Sequence, residues 1–366
     1  MTGHMNRDGR TEKRVTVRDV ARAAGVAIAT VSRVVNGVPT VAEDVRAKVL
    51  VAIEQLGWTP SAAAQTMRGI STRMVGFIFS DIRNPLYSAM IKGAEEVLSE
   101  HGYILMVASS NGIPQREMEL LALFKRRGAD GLIFSVADES NSNVAQSLKT
   151  IGLPVVLLER EIQALQINAV GASHLHGVRR ATEYLISQGH TRIAMISGGK
   201  GNRVARDRYR GLEQAMVQAG ISIAPELMKL DSFDTNYAYR ETQIMLDLAE
   251  PPTAIIALGM HLLAGVVSAT RVKGLSIPDD ISLVASPDSE LAQLASPAVT
   301  VIRYDAEALG REAARLLLRQ LNDQHPEAGT RIEIPTELIV RASCSVPREA
   351  SSGIVKRRVN SGGHAD

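Results

Sequence analysis

From Met74 onward, short apolar runs alternate with helix-like stretches, and this alternation limits the possible folds more than any other feature of the chain. The runs at 74–79, 103–108, 131–134 and 155–158 each precede a segment with helical patterning. A second set follows at 192–196, 227–230, 254–258 and 282–285. Apolar strands that each feed a helix form a parallel sheet covered by helices, because the crossover must return the chain to the same end of the sheet. Two such sets imply two lobes. A ligand is then expected between them, at the carboxyl ends of the strands, where loops and helix N-termini converge.

A chain of 366 residues is too long for that domain alone and leaves room for a smaller unit ahead of it. The composition, 45% apolar and 22% charged, is that of a globular protein, and no apolar run approaches the roughly eighteen residues of a membrane span. Residues 1–14 are polar and basic without an apolar h-region, so secretion is not expected. Cys344 stands alone, and a reducing cytoplasm fits best. The net charge of +2 is unevenly spread: residues 1–73 hold 11 Lys/Arg against 6 Asp/Glu, which leaves the rest at −3. Cations gathered at one end of a neutral body are an electrostatic footprint of nucleic-acid binding, although a solvated basic tail has the same signature.

The basic end carries a pattern of its own. Thr16-Val17-Arg18-Asp19 has the form of a capping box, so a helix starts there, with Val17, Val20, Ala21 and Ala24 on its apolar face. Gly25 can take the left-handed conformation that ends it. A second short helix over 27–35 offers Val31, Val34 and Val35 to a core, and Asn36-Gly37 closes it. Two short helices joined by a glycine-containing turn make a helix-turn-helix. A third helix, about 42–56, repeats Val45, Val49, Ala52, Ile53 and Leu56 along one face, and Trp58 is expected to pack beneath the core.

Val17-Arg18-Asp19-Val20-Ala21, Ala24-Gly25-Val26 and Thr30-Val31-Ser32-Arg33-Val34-Val35-Asn36 closely resemble the headpiece of the lactose repressor (LacI/GalR) family of bacterial regulators, and the match continues through Leu56-Gly57-Trp58 and Pro60. The resemblance implies an all-α helix-turn-helix headpiece at 15–59, a hinge helix and linker at 60–72, and an α/β two-lobed periplasmic-binding-protein-like (type I) sensor at 73–346 whose chain crosses between lobes three times. Residues 1–14 and 347–366 are expected to be flexible tails, and the family's leucine-repeat tetramerisation tail is absent. The implied partners are double-stranded operator DNA, a second copy of the chain and a small-molecule effector, with no cofactor, metal or membrane.

The resemblance places Ala27, Ile28 and Ala29 at the base-reading positions of a recognition helix in the major groove. Such an apolar run can touch thymine methyls but cannot hydrogen-bond bases. Direct readout therefore falls more heavily on Arg33, with Thr16, Thr30, Ser32 and Asn36 as phosphate binders, or as helix caps and back-bonded hydroxyls. In the hinge, Pro60 through Gly69 spans barely two turns and is marginal alone. In the family this segment folds when two subunits pair on DNA and a leucine wedges into the minor groove; here Met67 takes that place, with Ala64 and Arg68 beside it.

For the effector, the resemblance points to Ser80 and Asp81 after the first strand, Asn84 and Tyr87 at the start of the next helix, Arg160 after the fourth strand, and Arg208, whose planar fork suits hydroxyls or a carboxylate. Other positions depart from the family. Gly259-Met260-His261 replaces a frequent Asn-Asp pair, Ser286-Pro287-Asp288 stands where Phe-Asp-Asp is common, and Gly171-Ala172-Ser173 replaces Asp-Asn; Met260 and Asp288 are the candidates these loops supply. With carboxylates lost and Arg208 kept, a sugar acid or other anionic metabolite becomes as reasonable an effector as a neutral sugar. No nucleotide-binding, hydrolase or zinc motif suggests an enzyme, and His174 with His176 reads as a helix-surface pair. A transporter's solute-binding protein would share the sensor fold but not the headpiece. An effector-independent DNA binder is the other alternative.

Overall fold

The computed structural model describes residues 15–35, 38–58, 71–322 and 328–348. They fall into two compact units that part between Thr72 and Arg73.

In the first unit, α1 (Val17–Ala24), α2 (Ile28–Val35) and α3 (Glu43–Leu56) enclose a core of Val20, Ala21, Val31, Val34, Val49 and Ala52, with Trp58 packed against it. Thr16 starts α1: its amide donates to the Asp19 carboxylate at 2.9 Å and its hydroxyl to the same oxygen at 2.7 Å. Gly25 ends α1 at φ 66°, where a side chain would strain the backbone, and the Val26 amide closes the turn onto the Ala21 carbonyl at 3.0 Å. Arg46 ties α3 to the preceding loop by donating to the Val38 carbonyl at 2.9 Å.

The second unit contains two six-stranded sheets. The N-terminal lobe is built from β1 (Met74–Phe79), α4 (Pro85–Glu100), β2 (Ile104–Ser109), α5 (Pro114–Arg126), β3 (Gly131–Phe134), α6 (Ser142–Thr150), β4 (Val155–Leu158) and β5 (Asn168–Ala172). The C-terminal lobe takes α7 (His174–Ser187), β6 (Ile193–Ser197), α8 (Arg203–Gln218), β7 (Met228–Lys229), α9 (Thr235–Leu246), β8 (Ala254–Leu258), α10 (Leu262–Val272), β9 (Ser282–Ser286), α11 (Glu290–Leu294) and β10 (Thr300–Arg303). The chain then returns to the first lobe with α12 (Ala306–Asn322) and β11 (Arg331–Ile334), and ends in the second with β12 (Glu337–Ile339).

Strand order is β11-β5-β4-β3-β1-β2 in one sheet and β12-β10-β9-β8-β6-β7 in the other. All pairings are parallel except β10 with β12. The chain crosses between lobes three times, at 172–174, 303–306 and 334–337. The central strands are buried along both faces, as continuous apolar runs require.

Two layers of helix cover each sheet. In the N-terminal lobe α4 and α12 lie on one face and α5 and α6 on the other; in the C-terminal lobe α9 and α10 oppose α7 and α8. The α4–α12 crossing is close enough that a Cβ on Gly310 would lie 1.8 Å from the Met90 carbonyl oxygen, and one on Gly93 would lie 2.1 Å from that of Glu307. Backbone therefore packs directly on backbone there.

Several expected strands shift by one residue. The run at 227–230 is cut to Met228–Lys229, because Pro225 and Leu227 close a 3-10 turn ahead of it. Four strands, β5, β10, β11 and β12, were not among the expected runs.

Candidate functional site

On α2, Val31 and Val34 face the core while Ala27, Ile28, Ala29 and Arg33 are exposed, with Ile28 at 41%. Thr30 and Ser32 are half-buried between these faces. The helix thus turns an apolar, methyl-bearing first turn and one guanidinium to solvent. Thr16 is exposed, with its donors on Asp19, so its capping role is met inside the headpiece. Asn36, Ala64, Met67 and Arg68 lie outside the described residues.

In the second unit a cavity with about 150 Å³ of free space opens between the lobes. Ser80, Asp81, Asn84, Tyr87, Arg160, Arg208 and Met260 all line it. They come from the carboxyl ends of β1, β4 and β8, from the first turn of α4 and from the second turn of α8, because a parallel sheet delivers every strand end to the same edge. Asp288 does not line it. Its carboxylate turns to Arg341, which donates at 2.7 Å, and Pro287 occupies the wall instead.

Most polar groups of the wall are already spoken for. The Tyr87 hydroxyl sits 3.0 Å from both Ser80 Oγ and Ser135 Oγ, and its ring packs on Phe79 with centroids 4.9 Å apart. The Asn84 side-chain carbonyl accepts from the Leu86 amide at 3.1 Å and caps α4. Asp81 accepts from the Arg83 guanidinium at 3.0 and 3.1 Å, which holds its carboxyl below the usual range. Arg160 donates to the carbonyls of Val136 at 2.8 Å and Glu159 at 2.9 Å.

The departures have local causes. A Cβ at Gly171 would lie 1.9 Å from Nη2 of Arg203, so glycine makes room for that guanidinium. Cβ atoms at Gly198 and Gly259 would meet the Phe233 ring at 2.6 and 2.9 Å, so two glycines at adjacent strand ends form the notch that seats Phe233 in the cavity wall. That edge of the cavity is thus an aromatic surface.

Sequence reasoning passed over Glu159, His174, Asn202, Phe233, His261 and Tyr304, which also line the cavity. His174 is no surface residue: it is buried, and its Nε2 lies 2.7 Å from Glu159 Oε2. Tyr304 packs edge-on against it at 5.4 Å. Glu159 adopts φ 60°, a left-handed conformation unusual for this residue, which aims its Oε1 at the Ala172 amide at 2.8 Å. Burial alone would raise its pKa; His174, the Arg203 charge and the Ala172 amide outweigh that and hold it near 2. Burial lowers the pKa of His174, with Arg208 and Arg203 acting in the same direction. The pair is therefore an ionised carboxylate accepting from a neutral imidazole.

Arg208 is the exception to this self-sufficiency. It is 4% exposed; Nη1 donates to the Leu258 carbonyl at 2.8 Å and to Ser197 Oγ at 3.2 Å, while the buried Nε has no partner. No carboxylate lies within ion-pair distance of it among the described residues. A desolvated cation without a counter-ion is costly, and here it borders a cavity.

Among the described residues, no helix is long and apolar enough to cross a membrane. Residues 16–61 match the family model described as bacterial regulatory proteins, lacI family, and residues 182–344 match that of a periplasmic binding protein-like domain. The chain is 31% identical over 334 residues to the HTH-type transcriptional regulator DegA of Bacillus subtilis, covering 91% of this chain and 98% of that protein. Among solved structures it is similar to the transcriptional regulator CelR–cellobiose complex, at 28% identity and a TM-score of 0.69 over 90% of this chain and all of that one. It is also similar to the lac repressor dimer bound to operator and the anti-inducer ONPF, at 25% identity and a TM-score of 0.76, covering 91% of this chain and 100% of the other. A helix-turn-helix followed by a two-lobed effector-binding domain is thus matched over about nine-tenths of the chain by regulators of one kind: the chain belongs to the lacI family of bacterial transcriptional regulators.

Proposed function

We propose that this regulator is a repressor that binds a pseudo-palindromic operator as a homodimer and is controlled by a small anionic metabolite, a sugar acid or a close relative, held between the lobes. The observation that carries the ligand class is Arg208, a buried guanidinium at the cavity wall that has no carboxylate within ion-pair distance among the described residues; Glu159 acts on it only through space and is itself held by His174. A ligand carboxylate at the cavity wall supplies a counter-charge in contact with the guanidinium. Asp81 and Glu159 do not compete for it, since each is already engaged by Arg83 and His174. Phe233 and Tyr87 give the remainder of the ligand aromatic surface. The neutral disaccharide of the CelR complex makes a neutral carbohydrate the alternative ligand.

The homodimer is supported by the edge of the N-terminal lobe. There β2, an outer strand, exposes Ile104 at 67%, Met106 at 49% and Val107 at 52%, an apolar edge of the sort that solution monomers avoid. Effector binding changes lobe closure and, through the paired N-terminal lobes, whether two hinge segments can meet over the operator centre. The coupling equals the difference in effector affinity between the two states.

A thermal-shift panel of aldonates and hexuronates against the matching neutral sugars tests the ligand class. Stabilisation by acids alone is expected. Stabilisation by neutral sugars alone refutes the anionic reading.

A further inference from the structure

The back of the ligand-bearing helix is fastened across the cleft. Glu139, in the loop after β3 of the N-terminal lobe, is buried, and its two carboxylate oxygens each accept from the Arg203 amide at 2.9 Å. Arg203 is the first residue of α8 in the other lobe. The same carboxylate takes the Arg206 guanidinium at 2.8 Å and, within its own lobe, the Glu161 amide at 3.0 Å. An anion at a helix N-terminus is favoured by the unpaired amides and the helix dipole, and here that anion comes from the opposite lobe.

The fastening is reciprocal. The Arg203 side chain reaches back to the N-terminal lobe, where it donates to the Ala172 carbonyl of β5 at 3.3 Å and pairs with Glu333 of β11 at 3.6 Å. It also holds Asp207 of its own helix at 3.1 Å. Gly171 is the notch that admits it. The same helix presents Asn202, Val204 and Arg208 to the cavity.

We infer that Glu139 and Arg203 form an interlobe latch, which holds the two lobes together before any ligand binds and sets the position of α8, and hence of Arg208, at the cleft. The contact bridges elements of different sheets, and the Glu139 and Arg203 side chains are largely buried. It meets the cavity lining through α8 and, in the other lobe, through the peptide after Arg160 and the Arg203 charge on Glu159 and His174. It is built to bias closure, and it makes Glu139 a positioning residue. Loss of one charge-assisted hydrogen bond of this kind shifts the closed-to-open ratio about tenfold or more.

Hydrogen exchange on the unliganded full-length protein separates a latch from a mere helix cap. In the Glu139→Ala variant, exchange is expected to quicken about tenfold both at residues 199–206 and in cleft segments that Glu139 does not touch, 80–87 in one lobe and 258–262 in the other. Faster exchange confined to 199–206 and to Glu161 overturns the inference, because the carboxylate would then serve only the helix end. Should Glu139→Ala not fold, Glu139→Gln and Arg206→Ala are read in the same segments against the same two outcomes.

Discussion

Replacing Glu117 by Gln isolates the cost of burying one carboxylate in the N-terminal lobe. Glu117 lies in the first turn of α5 and is fully buried. Its Oε1 accepts from the Ala137 amide at 2.8 Å and from the Ser110 hydroxyl at 3.4 Å, while Oε2 has no partner. Burial raises its pKa from 4.5 to about 7, and the Ala137 and Ser110 hydrogen bonds offset only part of that. An acid whose pKa rises on folding holds its proton more tightly in the native state. Its contribution to stability is therefore complete below pH 4.5 and is lost as pH rises through 7. The span corresponds to about 3 kcal/mol. Glutamine keeps the acceptor for Ala137 and stays neutral at every pH. The variant should match the wild type near pH 4.5 and exceed it by about 3 kcal/mol at pH 8, a rise in melting temperature of roughly 5 °C for a unit of this size. Calorimetry or circular dichroism melts at the two pH values make the comparison. An equal difference at both would refute the reasoning, since only a titrating group can make the gap depend on pH.

Three further outcomes are expected. Arg208→Met removes a buried cation that has no carboxylate in contact with it, so the melting temperature should hold or rise while stabilisation by sugar acids disappears from the thermal-shift panel. Glu159→Ala leaves His174 and the Ala172 amide without their acceptor and should cost about 2–6 kcal/mol in urea unfolding at neutral pH, the cost of two unsatisfied buried donors; because the pKa of Glu159 is held near 2, this contribution is present above the normal carboxyl range and fades in the wild type as pH falls toward 2. Gly310→Ala forces α12 off α4 at the Met90 carbonyl and should cost about 3 kcal/mol, with a wild-type melting temperature for the variant arguing against the tight crossing.

The parts that were legible in the sequence are those fixed by one-dimensional pattern. The Thr16–Asp19 cap and Gly25 announce α1, and the buried strands β1, β3, β4 and β8 are unbroken apolar runs. The strands that escaped notice lack that signature. β5 reads Asn-Ala-Val-Gly-Ala, poor in β-formers because Gly171 must admit Arg203, and β11 is half-exposed at a sheet edge. Their omission had a price in site residues: His174 follows β5 and Tyr304 follows β10, so two members of the cavity wall stood beside strands that pattern did not reveal. Glu159 illustrates a different limit, because its partner lies 15 residues on and only the fold brings them together. Asp288 fails for a similar reason, its carboxylate being claimed by Arg341 from the far end of the chain.

The three crossings between lobes also set a timetable for synthesis. β11 completes one sheet at residue 334 and β12 completes the other at residue 339, so neither lobe can be finished until almost all of the chain has left the ribosome. Until α12 emerges, the face of β3 and β4 that it shares with α4 is only partly covered. The headpiece core, by contrast, is complete by Trp58. A nascent or prematurely ended chain therefore carries a finished headpiece core ahead of two incomplete sheets, and loss of the last few dozen residues removes an edge strand from each lobe and, from the C-terminal lobe, the bonds of Arg341, Ser343 and Ser345 as well.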